Sequence, residues 1–73
     1  MEGDKITMAK NFKIGDEVTY VPTAGLLENG IVKFVQSEDY VFVVYHCGGD
    51  WENYQNYTAA RTCTDDLVMG WRI

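Results

Sequence analysis

Alternating apolar and polar positions divide the chain into short segments that favour β-strands. Residues 17–20 alternate between polar and apolar side chains, and Pro22 ends this first predicted strand. The β-branched runs at 30–37 and 40–46 predict a second and a third strand, which form an antiparallel hairpin through the short connection at 37–39. The pattern therefore predicts β structure from residue 17 onward and no long helix.

The other segments are turns, one excursion and two further strands. A loop that follows Pro22 is predicted to close on a tight turn at Asn29-Gly30, a dipeptide that readily adopts positive φ. The remaining predictions are an ordered aromatic excursion at 47–56, a fourth strand at 57–62, a polar turn with one turn of 3₁₀ helix at 63–66, and a closing strand with a glycine bend at 67–73. Residues 1–11 form a flexible leader, with Ile6 and Met8 able to lie against the domain formed by residues 12–73.

Five short strands in a chain this small predict an all-β domain, a five-stranded antiparallel barrel, because closure leaves no open sheet edge. Gly15-Asp16 before the first strand, Gly30 at the start of the second and Asp66-Leu67 before the last resemble the SH3-like barrels of the Tudor and KOW type. Such barrels often dock onto larger machines, so the resemblance implies a protein partner. The strings "VFVVYH", "NYT" and "DL..GW" also resemble short proteins of gut bacteria and their phages, which implies a small accessory role.

Size and charge narrow the class of function. A chain of 73 residues has little room for a deep catalytic cavity, since folding of such a small domain buries only about 60% of the surface that the unfolded chain exposes. The net charge of −5, without a basic stripe, disfavours non-specific nucleic-acid binding. No apolar run is long enough for a membrane span or a signal peptide, so we expect a cytoplasmic protein that does not bind membranes.

The residues with catalytic or metal-binding chemistry do not form a recognised motif. His46 and Cys47 are neighbours on a predicted strand and point to opposite faces, so this pair is not a dyad. A pairing of His46 with Cys63 stays open but has no orienting carboxylate. Paired zinc-ligand spacings are absent among His46, Cys47, Asp50 and Cys63. We therefore expect no enzyme, no metal and no cofactor, with both cysteines reduced.

The aromatic residues carry the functional prediction. Six of the ten aromatics lie within residues 40–57. Both faces of the third strand are apolar, so its second face requires cover from the loop, another subunit or a ligand. The candidate binding residues are Tyr45, Trp51, Tyr54, Tyr57, Arg61 and Trp71, and the candidate interface residues are Phe42, Val44 and His46.

Three functions compete for this surface. The leading hypothesis is a non-enzymatic binding module that holds a partner protein through aromatic rings and Arg61, because Tyr, Trp and Arg are enriched in binding hot spots. The second is sequestration of a nucleotide or another planar anionic ligand, stacked among the rings with its phosphate on Arg61 or Arg72. The third is a structural homodimer through Phe42 and Val44.

Overall fold

The computed structural model describes residues 11–73, which form a small β domain with two short 3₁₀ helices. Residues 1–10 of the predicted leader, with Ile6 and Met8, lie outside the described residues. The elements in chain order are β1 (Glu17–Tyr20), β2 (Glu28–Val35), β3 (Tyr40–Val44), helix η1 (Trp51–Asn56), β4 (Ala60–Cys63), helix η2 (Thr64–Asp66) and β5 (Leu67–Met69). Neither helix is long and apolar enough to cross a membrane, a statement limited to residues 11–73.

All five strands belong to one antiparallel sheet with the order β4-β3-β2-β1-β5. The predicted antiparallel five-stranded architecture is confirmed at this level, and it is consistent with a small β barrel, but the strand pairings do not close the sheet, because β4 and β5 are its two edges. Each of these short strands has one partner: β4, with four residues, pairs with β3, and β5, with three residues, pairs with β1. Helix η2 connects them directly, so the gap between the two edges stays open along this side of the fold.

Gly30 lies inside β2 and not in the predicted tight turn. Its backbone pairs with Val18 of β1, and its φ is not positive, unlike that of five other glycines. Glycine is required at this position because neighbouring atoms leave no room for a side chain, and not because of its backbone conformation. A Cβ atom on Gly30 would lie 2.5 Å from Cγ1 of Val43 and 2.9 Å from Cδ1 of Tyr45 and the Val44 carbonyl oxygen. The expected turn at Asn29-Gly30 is therefore wrong, and β2 begins two residues earlier than the pattern predicted.

The main core lies on one face of the sheet and consists mostly of valine. Val18, Val32, Val41 and Val43 are at most 1% exposed, since β-branched side chains pack well on a pleated surface. Phe12 and Leu67 complete this cluster, and Tyr20, Val35 and Tyr45 pack against it at its margin. The two tyrosines at that margin matter for the candidate site below.

The second face of β3 is covered by the chain itself over part of its length. Val44 is fully buried although it lies outside the main core cluster. Helix η1 packs against β2, and the indole of its Trp51 lies against that of Trp71, with ring centroids 4.9 Å apart and the rings tilted by 52°. The Trp71 indole N–H donates to the Gly30 carbonyl at 2.9 Å, which attaches the C-terminal segment to the sheet. Val44 is therefore sealed inside the monomer and is not available to a partner.

A buried hydroxyl anchors the same C-terminal segment. Thr19 is fully buried and accepts a hydrogen bond from the backbone N–H of Arg72 at 2.9 Å. The Thr19 hydroxyl donates to the Gly70 carbonyl at 2.8 Å or to the Asn29 side-chain oxygen at 2.9 Å. The Asn29 amide in turn donates to the Ile73 carbonyl at 2.9 Å. One threonine thus connects β1, β2 and the last residues of the chain.

Candidate functional site

The six predicted binding residues make three sets of contacts, although Tyr45 lines one groove with Arg61 and a neighbouring hollow with Tyr57. Trp51, Tyr54, Tyr57 and Trp71 belong to helix η1 and the C-terminal segment. Arg61 contacts the β2–β3 hairpin. Tyr45 lines an open groove beside β4. Each group has its own contacts, so each is described separately.

The helix η1 group is largely occupied by contacts within the chain. Asp50 accepts hydrogen bonds from the Asn53 amide and the Tyr57 hydroxyl, both at 2.9 Å. The bond to this carboxylate raises the pKa of the Tyr57 phenol, since it stabilises the protonated form. The Lys33 ammonium donates to the Tyr57 carbonyl at 2.7 Å, which attaches the end of the helix to β2. These contacts fix the aromatic excursion against the sheet.

Arg61 contacts the β2–β3 hairpin through its guanidinium group. Its guanidinium lies 3.8 Å from the centroid of the Tyr40 ring, a cation–π geometry. Its Nε donates to the Gln36 side-chain oxygen at 2.9 Å. Both contacts connect β4 to the β2–β3 hairpin. The side chain therefore already has an aromatic and a polar partner within the chain.

A groove of about 500 Å³ runs beside β4 at the open side of the sheet. We call it the β4 groove; its lining residues are Tyr20, Glu28, Tyr45, His46, Asp66 and the whole of β4, 60–63. The two tyrosine rings lie 5.9 Å apart and tilted by 59°. They come from the ends of β1 and β3, where these strands leave the main core. The groove therefore combines half-buried aromatic rings with the edge of a strand.

Carboxylates set the charge of the β4 groove. Glu28 begins β2 and pairs directly with Tyr20, and Asp66 ends the 3₁₀ turn that precedes β5. The His46 imidazole lies 3.8 Å from the Glu28 carboxylate, with its side chain 83% exposed. Arg61 also lines the groove, with its guanidinium over the Tyr40 ring, so the lining carries two carboxylates and one guanidinium. The site is therefore suited to a cationic group and unfavourable for an anion.

Among the residues that line the groove, Tyr45 has a pKa that its surroundings shift strongly. Burial raises the pKa of its phenol from 10.0 to about 12, and the hydrogen bond to the Thr62 hydroxyl, 2.9 Å away, offsets only part of this shift. Thr62 is buried and also donates to the Ala60 carbonyl. Tyr45 is thus a neutral, fixed wall of the groove at physiological pH.

This pKa shift gives a pH-dependent stability. In the folded state Tyr45 keeps its proton up to about pH 12, whereas in the unfolded chain it ionises near pH 10.0. Its contribution is therefore fully present below about pH 10 and is lost as the pH rises to about 12. We expect urea denaturation to show a falling free energy of unfolding across this range, with a shallower fall in Tyr45→Phe. Equal slopes for the two proteins would contradict the burial of this phenol.

A shallow apolar hollow on another part of the sheet involves two phenylalanines. Phe34 and Phe42 pair across β2 and β3, with ring centroids 6.0 Å apart, and Phe34 is 54% exposed. Lys33, Thr58 and Ala59 complete a hollow of about 630 Å³. Of the predicted interface residues, Phe42 thus lines a hollow, His46 is exposed and Val44 is buried.

The two cysteines and the histidine are the remaining residues with candidate catalytic or metal-binding chemistry. Cys47 is buried and Cys63 is half-buried, and both are free thiols. Within residues 11–73, no three side chains among the histidine, cysteines and carboxylates are placed to bind a metal ion. His46 and Cys63 both line the β4 groove, but the acidic neighbour of His46 is Glu28 at 3.8 Å.

Sequence reasoning missed Tyr20, Glu28 and Asp66, which supply the groove with its second tyrosine ring and its carboxylates. Strand alternation places Tyr20 on the same face as Val18, which is the core face. Alternation does not give the register of β1 against β2, and Tyr20 lies opposite Glu28 only because β2 begins at residue 28. The turn wrongly predicted at Asn29-Gly30 removed Glu28 from the sheet and hid the groove.

The fold and the groove together define a small all-β domain of five antiparallel strands with an acidic and aromatic groove at its open side. No protein-family model matches this chain, and the searches of curated proteins and of solved structures gave no match.

Proposed function

We propose that the protein is a non-enzymatic binding module that holds a partner protein in the β4 groove. The observation that carries this proposal is the juxtaposition of the Tyr20 and Tyr45 rings with the edge of β4 in an open groove of about 500 Å³. Half-buried tyrosines offer a large contact area with few rotatable bonds, and they retain polar atoms for hydrogen bonding. The module acts in the cytoplasm as a small accessory protein of the phage or mobile-element kind.

The SH3-like architecture of the Tudor and KOW type stays part of the proposal. It is supported by the five antiparallel strands in one sheet and by the single 3₁₀ turn between the last two strands. The open gap between β4 and β5 departs from a closed barrel and gives the partner its point of access. The wider aromatic and Arg61 surface remains an alternative location for the partner.

Binding of an anionic nucleotide has less support than binding of a protein. The Trp51 and Trp71 rings already contact each other. The Nε atom of Arg72 donates to the Met69 carbonyl at 3.1 Å. The groove itself carries Glu28 and Asp66, which would repel a phosphate. One observation supports self-association: Phe34 is exposed beside Phe42. Light scattering would detect a homodimer as a particle larger than the 8.3 kDa monomer.

A random-peptide display library tests the proposal. Glu28→Arg, Asp66→Arg fills the groove with long cationic side chains and serves as the comparison protein, with circular dichroism as the check that it folds. We expect the wild type to retain a set of peptides about tenfold more strongly than this variant, the effect of about 1.4 kcal/mol of binding free energy. The proposal fails if no peptide is enriched on the wild type above a blank surface. Equal enrichment on both proteins would exclude the groove as the binding site.

A further inference from the structure

We infer that the occupant of the β4 groove is an extended peptide segment that adds as a strand to the edge of β4 and places an Arg or Lys side chain between Tyr20, Tyr45, Glu28 and Asp66. This inference rests on the proposed function and names the chemistry of the partner. It joins two independent features of the groove, a strand edge and an acidic aromatic end.

The strand edge is the first feature. Among residues 11–73, β4 pairs only with β3, and its other edge faces the groove along all four residues. In an antiparallel ladder every second residue directs its N–H and C=O groups outward, so about two residues of β4 offer unpaired backbone groups. A peptide in the extended conformation satisfies these groups, as in other cases of strand addition. A helix would leave them without partners.

The acidic aromatic end is the second feature and selects the side chain. The carboxylates of Glu28 and Asp66 line the groove together with the faces of two tyrosine rings. A guanidinium or ammonium group between them gains both ion pairing and cation–π attraction, which a neutral or acidic side chain would lack. The net charge of −5 attracts a basic segment over a longer range.

Arg61 belongs to β4 and lines the groove, but its guanidinium is already engaged by the β2–β3 hairpin. Its guanidinium is stacked on Tyr40 and bonded to Gln36. His46 contacts Glu28 only at 3.8 Å and with a largely exposed side chain, so an incoming cation displaces it at little cost. The acidic end of the groove is thus open to a ligand in the folded monomer.

The test uses a blocked eight-residue peptide of alternating Thr and Val with one central Arg, titrated into ¹⁵N-labelled protein. We expect the largest shift changes at the amides of Ala60–Cys63. We expect a peptide with Glu in place of Arg to bind about tenfold more weakly. We expect a similar loss when the peptide nitrogens that would pair with β4, which are every second one, are methylated. Loss on methylation of one alternate set only is the mark of strand addition, because a peptide held by its side chains would be indifferent to it.

Matched protein variants isolate the charge effect. Glu28→Gln and Asp66→Asn each remove one carboxylate from the groove, and Glu52→Gln removes one from exposed helix η1. We expect the first two to weaken binding of the Arg peptide about three- to tenfold and Glu52→Gln to leave it unchanged. Shift changes centred on Trp51 and Trp71, or equal affinity for the Arg and Glu peptides, would overturn the inference. Both results leave the proposed function to its own test, which it fails if the library yields no peptide or if the Glu28→Arg, Asp66→Arg variant retains peptides as strongly as the wild type.

Discussion

Gly30→Ala is expected to destabilise the domain by about 3 kcal/mol, the upper range for overpacking a filled site. The added methyl group would lie 2.5 Å from Cγ1 of Val43 and 2.9 Å from the Val44 carbonyl oxygen, distances that require atoms to move. The Val43 side chain is confined because it is 1% exposed, and the carbonyl belongs to the sheet ladder. Urea denaturation followed by circular dichroism measures the loss, which is a large part of the roughly 5–15 kcal/mol that native proteins have.

Two companion variants separate the steric cause from a general intolerance of alanine. Gly49 has a φ of +87° and no neighbour within 4 Å of an added Cβ, so Gly49→Ala has only the backbone cost of about 1 kcal/mol. Val43→Ala removes the methyl that lies closest to the new group. We expect the double variant Gly30→Ala, Val43→Ala to lose less stability than the sum of its two single variants. Additive losses would contradict a direct collision between these side chains.

Thr19→Val is expected to cost about 2–3 kcal/mol and to loosen the C-terminal segment. Valine keeps the shape but removes the hydroxyl that receives the Arg72 N–H and donates to the Gly70 carbonyl or Asn29. Each buried polar group left without a partner costs about 1–3 kcal/mol, and Thr19 itself is fully buried. Hydrogen exchange of the Trp71 indole N–H provides the local measurement, because this group is bonded to Gly30 in the intact structure.

Thr19→Ser is the matched control, since serine retains the hydroxyl and loses one methyl group. We expect it to cost about 1 kcal/mol through the small cavity and to leave the exchange of the Trp71 indole slow. If Thr19→Val and Thr19→Ser accelerate this exchange equally, packing of the methyl group and not the hydrogen-bond network holds the segment.

The strand pattern predicted much of the fold because local alternation is preserved in the tertiary structure. Residues 17–20 and 40–44 form strands within the predicted segments, and the polar turn before the last strand forms a 3₁₀ helix at Thr64–Asp66. Alternation also predicted that both faces of β3 are apolar. It did not predict what covers the second face, where the monomer itself buries Val44 completely.

The errors arose where distant residues decide the outcome. Asn29-Gly30 has the local chemistry of a turn, but the close approach of Val43 and Tyr45 makes glycine a packing requirement within β2. Closure of the sheet depends on whether β4 pairs with β5, and alternation within each strand carries no information on that pairing. The candidate site shifted for the same reason, because only the register of β1 against β2 brings Glu28 beside the tyrosines.

The paired indoles have a practical consequence for assays of this protein. The chain contains two tryptophans, and both lie at the junction of helix η1 with the C-terminal segment. The rings of the β4 groove are tyrosines. Intrinsic tryptophan emission therefore reports whether this junction is intact and is a poor sensor of groove occupancy, so a silent emission titration would not count against a ligand there. Fluorinated tyrosine observed by ¹⁹F resonance would place the reporter inside the groove.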